Sequence, residues 1–213
     1  MSIGLIGVGH QGRKFIETCK RMGVELAWAY SRPRFDADAI IIATPAETHY
    51  SIAKEAILEG KDVLIEKPMT MDPDEAEDLL DLAYTNGVTG FVDHTHLYSP
   101  AWREMKEKVG KVRRIKSHSG GPCKTHPRWD WGAHDVAMRI DIAGSDCPHE
   151  MHIHEDRTPR RFTVYADNGE FTYDDPPTEP RPLEVLMGEF VAAIGKGDSR
   201  GLQMGRDVAR VLA

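Results

Sequence analysis

The sequence predicts an α/β protein: a trimmed Rossmann domain from which one β-α unit is missing, followed by a small α/β domain with an open, mostly antiparallel sheet. Three observations carry this. A glycine loop, Gly7-x-Gly9-x-x-Gly12, follows the apolar run Ile3–Ile6 and precedes a helical stretch. Short apolar runs then alternate with helical stretches, as a parallel sheet requires. In the second half Glu150–Glu155 and Arg161–Tyr165 alternate at period two, which signals antiparallel strands. The boundary is expected at residues 1–98 and 99–213, with the C-terminal helix returning to the first domain.

Composition sets the frame. The chain has 213 residues, 40% of them hydrophobic, enough for a buried core. Its net charge of −7 and its lack of a basic run argue against a nucleic-acid partner, since that affinity comes from lysine and arginine on phosphates. A small molecule is the expected partner. No apolar stretch is long enough to span a membrane and no signal-peptide pattern follows Met1, so a cytoplasmic location is expected. Cys19, Cys123 and Cys147 form no C-x-x-C pair, which suits reduced thiols.

The first βαβ unit comprises Ile3–Ile6, a helix over Arg13–Met22 and a strand over Val24–Tyr30. In that setting Gly7 permits the tight turn, Gly9 lets the backbone approach a pyrophosphate and Gly12 allows close helix packing. The helix N-terminus offers unpaired N–H groups to phosphate. Ser31-Arg32-Pro33-Arg34 stands where an acidic residue would hold a ribose 2′-hydroxyl. Arginine suits a 2′-phosphate, so NADP is the expected cofactor, with Asp36 or Asp38 as groups that could serve NAD.

Asp38–Pro45 is the next strand and its end. The segment joining it to Tyr30 is too short for a helical crossover, which needs about a dozen residues. Ser31–Asp38 must therefore cross the sheet nearly extended, or else turn back as an antiparallel hairpin. The crossing is preferred, because it leaves Pro45 at the cofactor edge. Thr48–Leu58 reads as a helix, and Val63-Leu64-Ile65 as a buried strand that delivers Glu66-Lys67-Pro68 to the same edge, where open α/β sheets bind ligands. A lysine there can share a proton or orient an oxygen. Asp72-Pro73-Asp74-Glu75 starts a helix with an N-cap, a proline at the first position and a capping-box glutamate. Val88–Val92 is a strand, and Ser99-Pro100 opens a helix to Val109.

In the second half Lys111–Ser117 reads as a strand, and Ser119 to Arg128 as a loop. Trp129–Asp135 turns into a helix that ends at Gly144. Asp130 and His134 are four apart and become neighbours, the arrangement by which a carboxylate orients a proton-transferring imidazole. Glu150–Glu155, Arg161–Tyr165 and Glu170–Tyr173 alternate as antiparallel strands, and Leu183–Ile194 and Leu202–Leu212 close the chain as helices. An apolar face formed by Met151, Ile153, Phe162 and Val164 is expected to need covering by a second copy. His94 and His96, and His152 and His154, sit two apart as strand neighbours would; neither pair has a recognisable metal spacing, and no metal is expected.

The glycine loop, Ile42-Ala43-Thr44-Pro45, Glu66-Lys67-Pro68, the Pro100 helix and Asp130-x-x-x-His134 together resemble the Gfo/Idh/MocA family of NAD(P)-dependent oxidoreductases. The resemblance covers most of residues 3–144. It implies catalytic roles for Lys67, Asp130 and His134, and cofactor contacts from Gly7, Gly9, His10, Gln11, Gly12, Ser31, Arg32, Thr44, Pro45, His49, Glu66, Lys67 and Pro68. It also implies hydride transfer between NAD(P) and a hydroxyl or ketone carbon of a sugar, polyol or related molecule, in a homo-oligomer assembled through the C-terminal sheet. The alternatives are a non-catalytic dinucleotide-binding sensor or partner subunit, and a redox-neutral NAD-dependent glycosidase. Two departures from the family pattern stand out: the missing Rossmann unit and the short second domain.

Overall fold

Apolar strands buried on both faces belong to a parallel sheet covered on both sides, and most of the strands in the first half have that character. In the computed structural model, which describes residues 1–123 and 126–213, β1 (Ile3–Ile6), β3 (Ala39–Ile42) and β4 (Asp62–Ile65) are buried at every position. With β2 (Leu26–Tyr30) and β5 (Gly90–Val92) they form a five-stranded sheet in the order β2-β1-β3-β4-β5, and every pair is parallel. The hairpin alternative for Ser31–Asp38 is thereby excluded. β3 lies on the far side of β1 from β2, so the connection crosses without a helix and β2 becomes the edge of the sheet.

Five helices belong to this unit: α1 (His10–Met22), α2 (His49–Leu58), α3 (Pro73–Asn86), then, after the second domain, α6 (Pro182–Ala193) and α7 (Arg200–Leu212). Asp72 caps α3 by accepting the Asp74 N–H at 2.8 Å. α6 lies beside α1, where Glu184 pairs with Arg21 at 2.7 Å, and reaches β5, where Phe190 meets Phe91 at 5.6 Å between centroids. α7 lies beside α3, where Arg206 and Arg210 reach Glu77. It approaches β5 through glycines: a Cβ on Gly201 would stand 2.6 Å from the Phe91 Cα, and one on Gly205 2.9 Å from Val92 Cγ2.

The chain divides into compact units at Asp93/His94 and Pro182/Leu183, against an expected boundary at 98/99. Residues 183–211 belong with the Rossmann sheet, so both closing helices, and not only the last, return to it.

The second unit carries α4 (Pro100–Lys108), β6 (Val112–Gly120), α5 (Ala133–Ala143), β7 (His149–His154), β8 (Thr158–Ala166) and β9 (Gly169–Tyr173). Its sheet has the order β7-β6-β8-β9. β6/β8 and β8/β9 are antiparallel, as expected, but β7 pairs parallel with β6. The period-two pattern could not distinguish these, because alternation records only which faces are buried. The segment between β7 and β8 passes over the end of β6, where a Cβ on Gly120 would stand 2.3 Å from the His154 carbonyl oxygen. Within the loop expected at Ser119 to Arg128, Lys124 and Thr125 lie outside the described residues.

The apolar face of this sheet is covered in part within the chain itself. Phe162 and Val164 are fully buried within the chain, packed with Trp102, Ile115, Met138 and Tyr173. Met151 and Ile153 face the same way, with side-chain atoms that would come within 3.3 Å of a Cβ on Gly132. Helices α4 and α5 cover Phe162 and Val164 within the chain, while Met151 and Ile153 stay half-buried. The opposite face is polar: Glu150 pairs with Lys116 at 3.1 Å and His152 at 2.6 Å, and the His118 ring stacks on His152 at 4.6 Å. Of the four apolar residues, only Met151 and Ile153 keep surface that a second copy could cover.

Candidate functional site

Each unit carries its own part of the candidate site. In the first, all five strands deliver their carboxyl ends to one edge, and the glycine loop lies there. Gly7 has φ +97°, and a Cβ on it would meet the Ala43 carbonyl oxygen at 2.4 Å. A Cβ on Gly12 would overlap the Gly7 carbonyl oxygen at 1.8 Å, so both positions accept only glycine. Gly9 precedes α1 with no side-chain cap, and a Cβ there would meet nothing within 4 Å. Open space over uncapped helix N–H groups fits the pyrophosphate of a dinucleotide. His10 is exposed at the start of α1, and Gln11 donates its Nε2–H to Oε1 of Glu66, joining the loop to the end of β4.

The two strand-end motifs are tied together by His49. Its Nδ1 lies 2.8 Å from the Pro68 carbonyl oxygen and its Nε2 2.9 Å from that of Thr44. At 1% exposure this ring braces the Ala43-Thr44-Pro45 and Glu66-Lys67-Pro68 ends from inside, rather than presenting an edge to a ligand. Burial lowers its pKa, against the pull of the two carbonyls toward the charged form. A neutral ring has one N–H, so the tautomer satisfies one carbonyl at a time. Thr44 is half-buried and accepts a hydrogen bond from the Thr48 hydroxyl at 2.8 Å, and Pro45 is exposed beside it. Pro68 and Glu66 are buried, and Lys67 between them is half-buried. Burial raises the Glu66 pKa, opposed by the charge of Lys67, the Gln11 hydrogen bond and the charge of Lys14.

At the β2 end, Ser31 and Arg32 are exposed. Arg34 is held: it pairs with Asp36 and lies over the Trp28 and Tyr30 rings at 5.7 and 5.5 Å. That leaves Asp36 engaged, while Asp38 accepts the Ser2 N–H at 2.6 Å.

In the second unit a π-helical turn, Arg128–Gly132, leads into α5. Asp130 lies in this wide turn and His134 in the first turn of α5, both half-buried. The His134 ring meets the His96 ring edge-on at 4.8 Å and the His94 ring at 6.3 Å. These two histidines are not strand neighbours; His96 stands in a short helical turn, Thr95–Tyr98, with His94 just before it. Behind them, His96 Nδ1 lies 3.2 Å from Asp175, which also accepts the Tyr173 hydroxyl at 2.8 Å. Burial works against the Asp175 carboxylate, yet the hydrogen bond and charge of His96, the Tyr173 hydroxyl and the charge of Arg160 together outweigh it and hold its pKa low.

Beneath the turn lies a buried ion pair. Asp135, with no exposed surface, pairs with Arg160 and accepts the Ser117 and Ser119 hydroxyls at 3.1 and 3.0 Å. Arg160 also reaches the Trp131 carbonyl oxygen at 3.4 Å. Since Ser117 donates to Asp135, the His149 Nε2 that lies 2.8 Å from the same hydroxyl must carry the proton. The sequence reading named none of Asp135, Arg160, Asp175 or Tyr173 as site residues. Asp135 directly follows His134 and was within reach; the other three are brought in only by strand pairing. Among the described residues no group of three or more His, Cys, Asp or Glu is arranged to hold a metal ion.

A parallel sheet of this order, with a glycine loop cradle at its carboxyl edge, defines a dinucleotide-binding Rossmann protein. Residues 25–94 match the model of the Gfo/Idh/MocA family, described as the oxidoreductase family with an NAD-binding Rossmann fold. It is 29% identical over 175 residues to UDP-N-acetylglucosamine 3-dehydrogenase of Acidithiobacillus ferrooxidans, covering 68% of this chain and 55% of the relative. It is 29% identical over 93 residues to scyllo-inositol 2-dehydrogenase (NADP(+)) of Bacillus subtilis, covering 44% of this chain and 28% of the relative. Its matches thus span about half or less of these curated relatives. A solved structure of a putative oxidoreductase from Magnetospirillum magnetotacticum superposes with a TM-score of 0.86 at 27% identity, covering 100% of this chain and 98% of that one.

Proposed function

We propose that this chain transfers hydride between NAD(P) and a carbon bearing a hydroxyl or ketone on a sugar, polyol or related small molecule. The observation that carries the reading is the cradle: an open Gly9 over an uncapped helix N-terminus, at the sheet edge where β4 presents Lys67. When bound, the nicotinamide supplies the hydride chemistry. The chain's residues do the rest. Gly9 and the α1 N–H groups receive the pyrophosphate, and Arg32 receives a 2′-phosphate. Lys67 hydrogen-bonds the reacting oxygen and stabilises its negative charge, His134 exchanges the hydroxyl proton, and Asp130 orients His134 or a substrate hydroxyl. The sugar and inositol dehydrogenases among the relatives support the substrate class.

Titration of NADH and NADPH against the protein, read by fluorescence or calorimetry, tests the cradle, and NADPH is expected to bind more tightly. Lys67→Ala should keep cofactor binding and lose roughly 10²–10⁴-fold in turnover of a proven substrate. Parent-rate turnover by that variant, or no binding of either cofactor, would overturn the reading.

A further inference from the structure

Among the described residues, Asp175 is the one residue other than glycine with a left-handed backbone, at φ +48°. That conformation is disfavoured for a residue with a side chain, and it persists where the surroundings over-determine it, commonly at a site of chemistry. Here it aims a carboxylate inward. The chain leaves β9 at Tyr173, and two residues on Asp175 turns back to accept the Tyr173 hydroxyl at 2.8 Å and to lie 3.2 Å from His96 Nδ1. The same Nδ1 is 3.3 Å from the Tyr173 oxygen. Three polar groups thus close on one another, and the His96 ring that they hold meets His134 edge-on at 4.8 Å.

The direction of each hydrogen bond follows. Burial above all raises the Tyr173 pKa, so its hydroxyl stays a donor; Asp175, with burial opposing, is held low by His96, Tyr173 and Arg160 and stays an acceptor. The His96 nitrogen that faces these two oxygens must then carry a proton. In the neutral ring and in the charged one alike Nδ1 is occupied, so protons come and go at Nε2.

We propose that Asp175 is a positioning residue for proton transfer: through His96 it fixes one imidazole tautomer beside His134, and it brings a negative charge that stabilises a proton on that pair of rings. This rests on the function proposed above, in which His134 exchanges the hydroxyl proton. The spacing of Asp130 and His134 suggests one carboxylate–imidazole pair; Asp175 and His96 form another, assembled from distant parts of the chain. Other charged and titratable groups face the two rings. His94 lies 6.3 Å from the His134 ring, Asp130 stands in the turn before it, and Asp135 beside it pairs with Arg160, whose charge also acts on Asp175. With those groups in place, removing only the Asp175 charge lowers the affinity of the two imidazoles for a proton, because a carboxylate this close favours the charged ring.

Asp175→Asn separates charge from shape, since asparagine tolerates the left-handed conformation and keeps an oxygen for the Nδ1–H. NMR of the cofactor-free protein with ¹⁵N-labelled histidine should show His96 protonated at Nδ1 at neutral pH in both proteins, and the titration of the His96 and His134 rings should fall by up to about one pH unit in the variant. With a proven substrate, the acid limb of the kcat/KM profile should move to lower pH by the same amount. At neutral pH kcat should drop about three- to tenfold, as a weaker base requires, with KM and the cofactor Kd unchanged. An unprotonated Nδ1 on His96 refutes the tautomer. Histidine titrations that stay in place in Asp175→Asn refute the role of its charge, and a fall in turnover without them marks Asp175 as structural only. If no substrate is turned over by the unaltered protein, the oxidoreductase reading fails, and the NMR titrations still decide the state of the two rings.

Discussion

Arg32 and Arg34 stand two residues apart, yet only one is placed to meet a ligand. Arg34 is fixed between Asp36 and the Trp28 and Tyr30 rings, whereas Arg32 is exposed at the end of β2. Arg32→Ala should therefore weaken NADPH about 10–100-fold, the range of a charge-assisted contact, and leave NADH little changed. Paired calorimetric titrations measure this. A second residue-scale prediction concerns acid stability. Burial, then the charge of Arg139, lowers the His149 pKa from 6.5 to about 4. Because the unfolded chain binds the proton more readily, the stability of the neutral ring is whole above about pH 6.5 and is lost as pH falls toward 4, up to about 3 kcal/mol. His149→Asn should flatten the acid limb of the melting temperature between those values; buried His49, with the same sign of shift, keeps part of the acid sensitivity. Single residues with a covalent neighbour in a motif, such as Lys67, were legible in the sequence. Glu66 was legible as a motif member but not as a partner of Gln11, because that contact spans 55 positions and forms only when β4 and α1 share an edge.

Elements were legible where local rules decide them. Asp72-Pro73 fixed the start of α3, and the apolar runs fixed β1, β3 and β4, since burial on both faces leaves a continuous hydrophobic stretch. The pairing of β7 was not legible, because its neighbour β6 is distant in sequence and alternation carries no strand direction. The π-helical turn before α5 was missed as well; it is fixed from below by Arg160 on the Trp131 carbonyl. Arg160→Met should cost about 3–5 kcal/mol by leaving Asp135 buried without its ion partner, and a joint Arg160→Met, Asp135→Leu replacement should cost less. Urea unfolding of both variants gives the comparison. On the other unit, Gly201→Val would drive a branched side chain into the β5 backbone, and a loss of about 1–3 kcal/mol is expected in the same assay.

At the scale of the whole chain, the fold class was legible and the distribution of surfaces was not. The apolar residues of the second sheet were visible, but which helices would cover them was not, and α4 and α5 left a polar face open instead. The Rossmann half keeps its parallel order while omitting a unit, and the whole omission is carried by the stretch Ser31–Asp38. That stretch works as a strap of limited length. It must return along a strand and step past β1, using most of the roughly 26–29 Å that eight residues can span. A strap under such a limit tolerates lengthening far better than shortening. Removing Pro33 should pull β3 one residue along β1, turning the side chains of Ile40–Ile42 to opposite faces, and the protein should fail to fold; inserting a glycine there should leave the melting temperature nearly unchanged. The register of the central strand, and with it the height at which Thr44 and Pro45 reach the ligand edge, is set by a length of chain that touches no ligand itself.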